Sequence, residues 1–512
     1  MSNLTPANLL HKQPLPVPYL ANTPEVIVLQ PGRQLFVDDY LIDLKRTTMS
    51  RVFHQPVKHP GNPVIYPETE WETLEPYPPC AVAKCGGVWF DDRDRLFKMW
   101  YMGGYLGVMC LATSEDGVHW NRPEFDVVPG TNIILPKDVH PDSGSVIIDH
   151  TASGNEPRYK MLTRRPDMPD KDYSRALLYT SNDGIHWDHI GDSGPMDDRS
   201  TMFYNPFMQK WAQSIRVNHP VAHRSRYYHD GDSFLESAQW TEQDRTPWLR
   251  ADSLDSGKYL PAELYNFDAI AYESVMIGFH QILHGPNNSI GEASGLPKLT
   301  ELYLSTSRDG LHWDRSCRTP LIPARREYGS WEYGYIESSA GMCCIVGDEL
   351  WLYYSAYAGD PNRITKDWRI NGLYANGAVG LAKLRRDGFA SLRPGYAGAI
   401  ARTVRLQFSG KRLFVNANTV GTTLSVEVQN AQGKAYEGLS HEDCIGFCGN
   451  STCTEIQWRE KDLSGIGTEG VHLEFRLDRG DFYAFWMTDS TDGKSGGYTA
   501  AGGPSLNRGR DI

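Results

Sequence analysis

The sequence predicts an all-β protein: a five-bladed β-propeller followed by a smaller β-sandwich. Three observations predict it. The phrase SEDGVHW at 114–120 returns as SNDGIHW at 181–187 and as SRDGLHW at 307–313. Each copy follows a strand-like run: VMCLATS, ALLYTS or ELYLSTS. Around residue 395 the repeats stop, and a different apolar/polar alternation takes over. An active site needs each group once, so a recurring phrase is first an architectural unit.

Each copy reads as a turn between strands. Asp bonds its own downstream backbone, and Gly accepts the positive φ that such turns need. Trp120, Trp187 and Trp313 should then open the next strand. The copies are spaced by 67 and 126 residues, so one is degraded, and DSFLESAQW, ending at Trp240, stands in its place. A fifth variant, RRDGFASL, has Phe389 where the others have Trp. The first unit reads as GGVWF, RLFKMWYM, VMCLATS and the segment from Trp120. The second is SGSVIID, YKML, ALLYTS and HWDHI, and the third is STMFY, KWAQSIRV, RSRYYH and the stretch to Trp240. The fourth has AIAYES, VMIGFHQIL, ELYLSTS and LHWDR; the fifth has GMCCIV, LWLYYSAY, AVGLAKL and FASL. Four strands per unit is the plan of a propeller. No 3.6-period apolar stripe interrupts it, so helix should be scarce.

The boundaries that follow are an N-terminal arm at 1–32, a propeller at 33–394, a sandwich at 395–490 and a tail at 491–512. The sandwich rests on ARTVRLQF, RLFVNAN, TLSVEVQNAQGKAY, VHLEFRL and DFYAFWM, which alternate between Gly/Asn turns. The tail has little to bury and reads as mobile, or as an arm onto a neighbour.

Composition narrows the function. Of 512 residues, 40% are hydrophobic and 22% charged, as in ordinary globular chains. A formal charge of −12 without a dense Lys/Arg run argues against nucleic acid as the main ligand. No apolar stretch approaches the ~18 residues that cross a bilayer, so no membrane partner is expected. The first 25 residues are polar and Pro-rich, unlike a secretory leader. A cytoplasmic location with nine reduced, mostly buried cysteines is the expectation. Cys444, Cys448 and Cys453 lack the fourth ligand of a zinc site, and DDRDR at 91–95 reads as a solvated turn rather than a calcium loop. No metal and no cofactor are expected.

A propeller with S-x-D-G-x-x-W turns and a C-terminal sandwich resembles the glycosidases of glycoside hydrolase families 32 and 43, over about residues 33 to 490. The phrase lacks the residue that a sialidase Asp-box places between Asp and Gly. The family 32 signatures W-M-N-D-P-N-G, R-D-P and E-C are absent. RQLFVDDYLI, HQPVKHPGNPVI and the sandwich also resemble a related bacterial group that brings no activity with it. The resemblance implies a carbohydrate substrate and carboxylates in a central channel.

Glycoside hydrolysis needs two carboxyl groups flanking the bond, one acid and one nucleophile or base. A third tunes its neighbours or orients the sugar. Unrepeated acids near the innermost strands are therefore the candidates. They are Asp142 in HPDSGSV, Asp198 in MDDRST and Glu337 in WEYGYIES. An unpaired carboxylate beside an apolar strand is costly, which suits Glu337 to carry the proton of a general acid. Asp198 would be nucleophile or base, beside Arg199, which can clamp a carboxylate or a hydroxyl-rich ligand. Asp142 or Glu263 would position the sugar. His140, Tyr265, Trp71, Trp331 and Asp39 complete the substrate-binding set. Asp38 and Asp39 alternate faces of a strand, so at most one points inward. Asp197 reads as a turn cap, and His119, His186 and His312 as structural, because they recur in equivalent turns.

Two rivals stand beside the glycosidase. One is a non-catalytic carbohydrate-binding propeller. The other is a propeller lyase or glycosyltransferase; for a lyase, His140 or Tyr265 would act as base near Arg199. Self-association through the sandwich or the tail is the one protein contact the sequence suggests.

Overall fold

A computed structural model describes residues 4, 6–164, 175–507 and 509–512. The protein is nearly all-β, 43% strand and 5% helix. Five sheets of four or five strands follow in chain order, starting at Ala81, Ser143, Thr201, Glu263 and Gly334. Inside each, successive strands pair antiparallel with their sequence neighbours. Strands Ala81–Asp91 and Val275–Gly285 are buried along their whole length. Their near-continuous apolar runs therefore suit sheets covered on both faces.

The repeated phrase is a staple between sheets. In each copy the Ser hydroxyl accepts the Gly N–H at 2.8 Å. The Asp carboxylate accepts the next two backbone N–H groups, again at 2.8 Å, and holds the His ring at 2.7–2.8 Å. Each turn then offers a carbonyl to another sheet. Tyr353 reaches Gly117, Trp100 reaches Gly184 and Asn205 reaches Asp309, at 2.8–2.9 Å. The Gly residues hold φ of +73 to +80°, and a Cβ on any of them would strike that same partner side chain within 2.8 Å. The three histidines serve their own turns, as their recurrence suggests.

These turns make the fold acid-sensitive. Slight burial opposes ionisation of Asp183, but bonds from His186 and the backbone outweigh it and bring its carboxyl down to about 2. Asp116 and Asp309 shift the same way. A depressed folded value means stability that is present above the ordinary carboxyl range near 4 and is lost as pH falls through the folded value. The urea midpoint should therefore hold from pH 7 to 5 and drop by pH 3. Asp183→Asn should flatten the drop in part, measured by fluorescence.

Several expected strands lie elsewhere. The segments after Trp120 and Trp313 make single bridges, Thr113 to Asn121 and Thr306 to Asp314, not fourth strands. Only Trp187 leads into a strand, Asp188–Asp192. The degraded copy is a short helix, Phe234–Ala238, capped by Ser233; the fourth strand, Thr246–Arg250, comes after it. FASL leaves the fifth sheet: Ala390–Arg393 pairs with Ser50–Phe53 in another. The outer place in the fifth sheet goes to Val57–Lys58, from far upstream.

The remaining sheets enclose a second core around Leu41, Val415, Val426, Phe475, Phe482 and Phe485. One has Asn450–Ile456, Arg412–Asn418, Asp481–Thr488, Ala390–Arg393 and Ser50–Phe53 in that order, with Gln34–Leu35 added beside Asp481–Thr488. A second has Ala399–Arg402, His472–Leu477 and Ser425–Gln429, and a third pairs Val26–Val28 with Arg405–Gln407. Residues 34–53, expected in the propeller, thus pair here.

The described residues of the last segment pack back on this chain. Tyr498–Thr499 pairs with the end of Glu263–Glu273. Ala501 accepts the Phe90 N–H at 2.8 Å and donates to Cys343 at 2.9 Å. Between this segment and the far ends of the first strands lies a cavity of about 350 Å³, lined in part by Ile147, Met202, Ala269, Ala340 and Tyr498. All nine cysteines are free, five of them buried. Among the described residues, no helix is long and apolar enough to cross a membrane.

Candidate functional site

Side chains from the starts of all five sheets meet in one polar cluster. Arg199, just before the third sheet, is its hub and is 1% exposed. Its backbone N–H donates to Ser143 Oγ of the second sheet at 2.7 Å. Nη1 donates to the Lys84 carbonyl of the first at 2.8 Å. Nε lies 3.5 Å from Glu337 of the fifth sheet, and Nη2 reaches the Ser338 carbonyl. Ser338 Oγ donates to Asp268 of the fourth sheet at 2.6 Å, and Asn266 Nδ2 reaches both. Arg226 ties the cluster from behind, donating to the Arg199 carbonyl at 2.7 Å. Arg199 and Tyr335 hold φ of +59° and +52°, a conformation costing a side-chain-bearing residue about 1–2 kcal/mol. Such strain persists where the surroundings over-determine it, as these bonds do.

An aromatic wall closes the cluster. Tyr105 stacks on Tyr374 with centroids 4.2 Å apart. The Tyr265 and Tyr335 hydroxyls are 2.8 Å apart, and Lys298 Nζ donates to Tyr265 at 3.0 Å. Burial alone would raise the Tyr265 phenol, but Lys298 and Arg224 outweigh it and bring it down to about 8. Burial lifts the Asp268 carboxyl above its usual range despite Arg199. Burial and the adjacent Arg216 pull the Arg226 guanidinium down to about 9. Lys84 goes up, because Glu337 outweighs the effect of burial. Tyr374 enters on the segment 358–376, whose Arg363 grips Glu75 at 2.8–2.9 Å.

The cluster is left unsatisfied by protein. Both Glu337 oxygens, Arg199 Nε, Asp268 Oδ1, Asn266 Oδ1, Ser339 Oγ and the Tyr357 hydroxyl are buried with no hydrogen-bond partner. Orphaned buried polar atoms each cost about 1–3 kcal/mol, so their concentration at one point makes this cluster the candidate site.

Glu337, Arg199 and Tyr265 therefore stand together in the cluster. Asp142 is 6% exposed, ion-paired with Arg164, and near enough to act on Lys84, Tyr105 and Tyr374. Asp198 is at the rim, held by Arg216 together with Asp197. Glu263 is also at the rim, bonded to Arg224 at 2.8 Å. His140 Nδ1 faces the carbonyls of Leu106 and Gly107. Trp71 bonds Asn132, and Trp331 packs on Tyr354 within the fifth sheet. Asp39 is exposed and pairs with Arg51, while Asp38 is buried against Arg308. Among the described residues, no hydrogen bond, ion pair or ring pair joins Trp71, Trp331 or Asp39 to the cluster.

Sequence reasoning missed Lys84 and Lys298. Each is a lone lysine in a fully buried strand or at its edge, AVAKCGG and PKLTELY, and that mismatch was the available signal. Among the described residues, no group of three or more His, Cys, Asp or Glu side chains is arranged to hold a metal.

No family model matches the chain, and no curated protein matches it. Solved structures do match at low identity. A thermostable family-43 glycoside hydrolase is 13% identical, covering 60% of this chain and 94% of its own, with a TM-score of 0.38. The exo-β-1,3-galactanase of Phanerochaete chrysosporium is 10% identical over 78% of this chain and 95% of its own, at 0.36. An N-acetylgalactosamine deacetylase from F. plautii is 16% identical over 71% and 96%, at 0.39. The chemistry of this chain rests on its own residues.

Proposed function

We propose that the first five sheets are blades of a β-propeller, that the following sheets form a β-sandwich, and that the axial cluster hydrolyses a glycosidic bond. The observation that carries this reading is the set of orphaned donors and acceptors around Glu337 and Arg199. A ligand rich in hydroxyls, each able to donate and accept, is the chemistry that completes them. Glu337 gives its proton to the leaving oxygen. Asp142 is the second carboxylate, attacking the anomeric carbon or drawing a proton from water; water supplies OH to that carbon and H to the leaving group. Asp198, ion-paired to Arg216 as Asp142 is to Arg164 but more exposed at the rim, is the alternative for that role. Lys84 and Arg199 hold hydroxyls and charge in place.

A second reading has its own support. A Tyr265 phenol brought down to about 8 beside Lys298 is suited to remove a carbon-bound proton, as a lyase requires. A glycan panel incubated in ¹⁸O-water separates the two. Hydrolysis places ¹⁸O in the new reducing end, and elimination yields an unsaturated sugar without label. Binding with no product would leave a carbohydrate-binding propeller.

A further inference from the structure

Four cationic side chains in the axial cluster, Lys84, Arg199, Arg226 and Lys298, are none more than 3% exposed. Two equally buried carboxylates answer all four. Glu337 lies within electrostatic reach of Lys84, Arg199 and Lys298; Asp268 lies within reach of Arg199 and Arg226. The other acids nearby are engaged: Asp142 by Arg164, Glu263 by Arg224, Asp197 and Asp198 by Arg216.

Beyond these, and apart from Asp142 acting on Lys84 and Asp197 on Arg226, the described residues give the four cations neutral partners. Arg226 donates to the carbonyls of Tyr265, Arg199 and Ser214 and to Ser214 Oγ. Lys298 donates to the Tyr265 hydroxyl and to Asn288. Lys84 Nζ sits over the rings of Tyr105 and Tyr335, 5.0 and 5.6 Å from their centroids. Burying a cation without its counter-charge is costly. A pocket with excess positive charge lowers that cost when its ligand is an anion, and a dry site strengthens the attraction.

Building on the sugar-cleaving reading above, we infer that the sugar bound at the axis carries a carboxylate, as a uronate unit does, and that Lys84 receives it. Lys84 fits the role because its ammonium has ring faces beside it and, among the described residues, no hydrogen-bond acceptor holds it, whereas the guanidinium of Arg226 is spent on carbonyls. Arg199 and Lys298 supply the surrounding positive field.

Titration calorimetry on the full chain tests this. The probes are glucuronate- and galacturonate-containing disaccharides, the matching neutral disaccharides, and inorganic phosphate. A uronate disaccharide should bind at least tenfold more tightly than its neutral counterpart, and Lys84→Met should shrink that preference to about twofold. Should Lys84→Met fail to fold, Lys84→Arg keeps the charge but moves it, and the preference should fall at least threefold. Neutral sugars binding as tightly as uronates overturn the inference, as does an unchanged preference in the folded Lys84 variant. Phosphate binding more tightly than either uronate would assign the charge to a free oxyanion and overturn it too. Binding is read without turnover. A chain that binds uronates and cleaves nothing therefore defeats the hydrolase reading alone. One that cleaves a neutral glycoside and ignores uronates defeats this inference alone.

Discussion

Replacing Glu337 by Gln is expected to lower kcat on any cleaved glycoside by about 10²–10⁴, the usual worth of a positioned general acid. The amide keeps the shape and removes the transferable proton. Its carboxyl is wholly buried, faces Arg199 at 3.5 Å, and has no protein hydrogen-bond donor on either oxygen. Arg199 and Lys84 then face an amide in place of a carboxyl, which alters the packing around them. Turnover must therefore be measured at a temperature where near-ultraviolet circular dichroism shows native packing. A native-like Glu337→Gln protein with turnover within threefold of the parent would remove Glu337 from the chemistry.

Arg33→Ala is expected to be the most destabilising single change away from the polar cluster. Arg33 is 2% exposed and joins five parts of the chain. Nη1 donates to Asp387 at 2.8 Å and to the Thr452 carbonyl at 2.7 Å; its backbone N–H donates to Glu273 at 3.0 Å. The guanidinium lies 4.1 Å from the Trp486 ring. Glu273 also accepts from Ser495 at 2.6 Å and pairs with Arg386, which holds Asp511. Removing the arginine leaves two fully buried carboxylates to share Arg386, so the loss should approach the 3–5 kcal/mol typical of one broken buried pair. Urea unfolding measures it, and Arg33→Lys should recover part. In contrast to Glu337→Gln, activity per folded molecule should hold.

Arg33 and its partners also show where sequence reading works. The DG turns were legible because Ser, Asp, Gly and His act on one another within six residues. The fifth variant, RRDGFASL, kept the turn, but its Asp387 serves Arg33 and Tyr272 rather than a His. Nothing local announces a partner more than 350 residues upstream. Val57–Lys58 was invisible for the same reason. Two residues cannot show a period, and their pairing is set by a sheet built more than 300 residues later. At the site, acids next to apolar strands were legible, and Glu337, Asp142, Arg199 and Tyr265 do lie at or beside the cluster. Asp39 was read from the leading strand and Trp331 as an aromatic near the channel mouth; in the structure they meet Arg51 and Tyr354. The lysines escaped because a sugar-cleaving template directs attention to carboxylates.

The pairing of Val57–Lys58 with Gly377–Arg385 has a consequence for how the chain is made. At ribosomal speeds of about 5–20 residues per second, the upstream strand waits some tens of seconds for its mate. Residues 34–53 wait longer still, for partners between 390 and 488. The nascent polypeptide thus carries unpaired strand segments with nowhere to dock until their partners between 377 and 488 have been made. Its yield in a cell should depend on holdase chaperones that shield those segments.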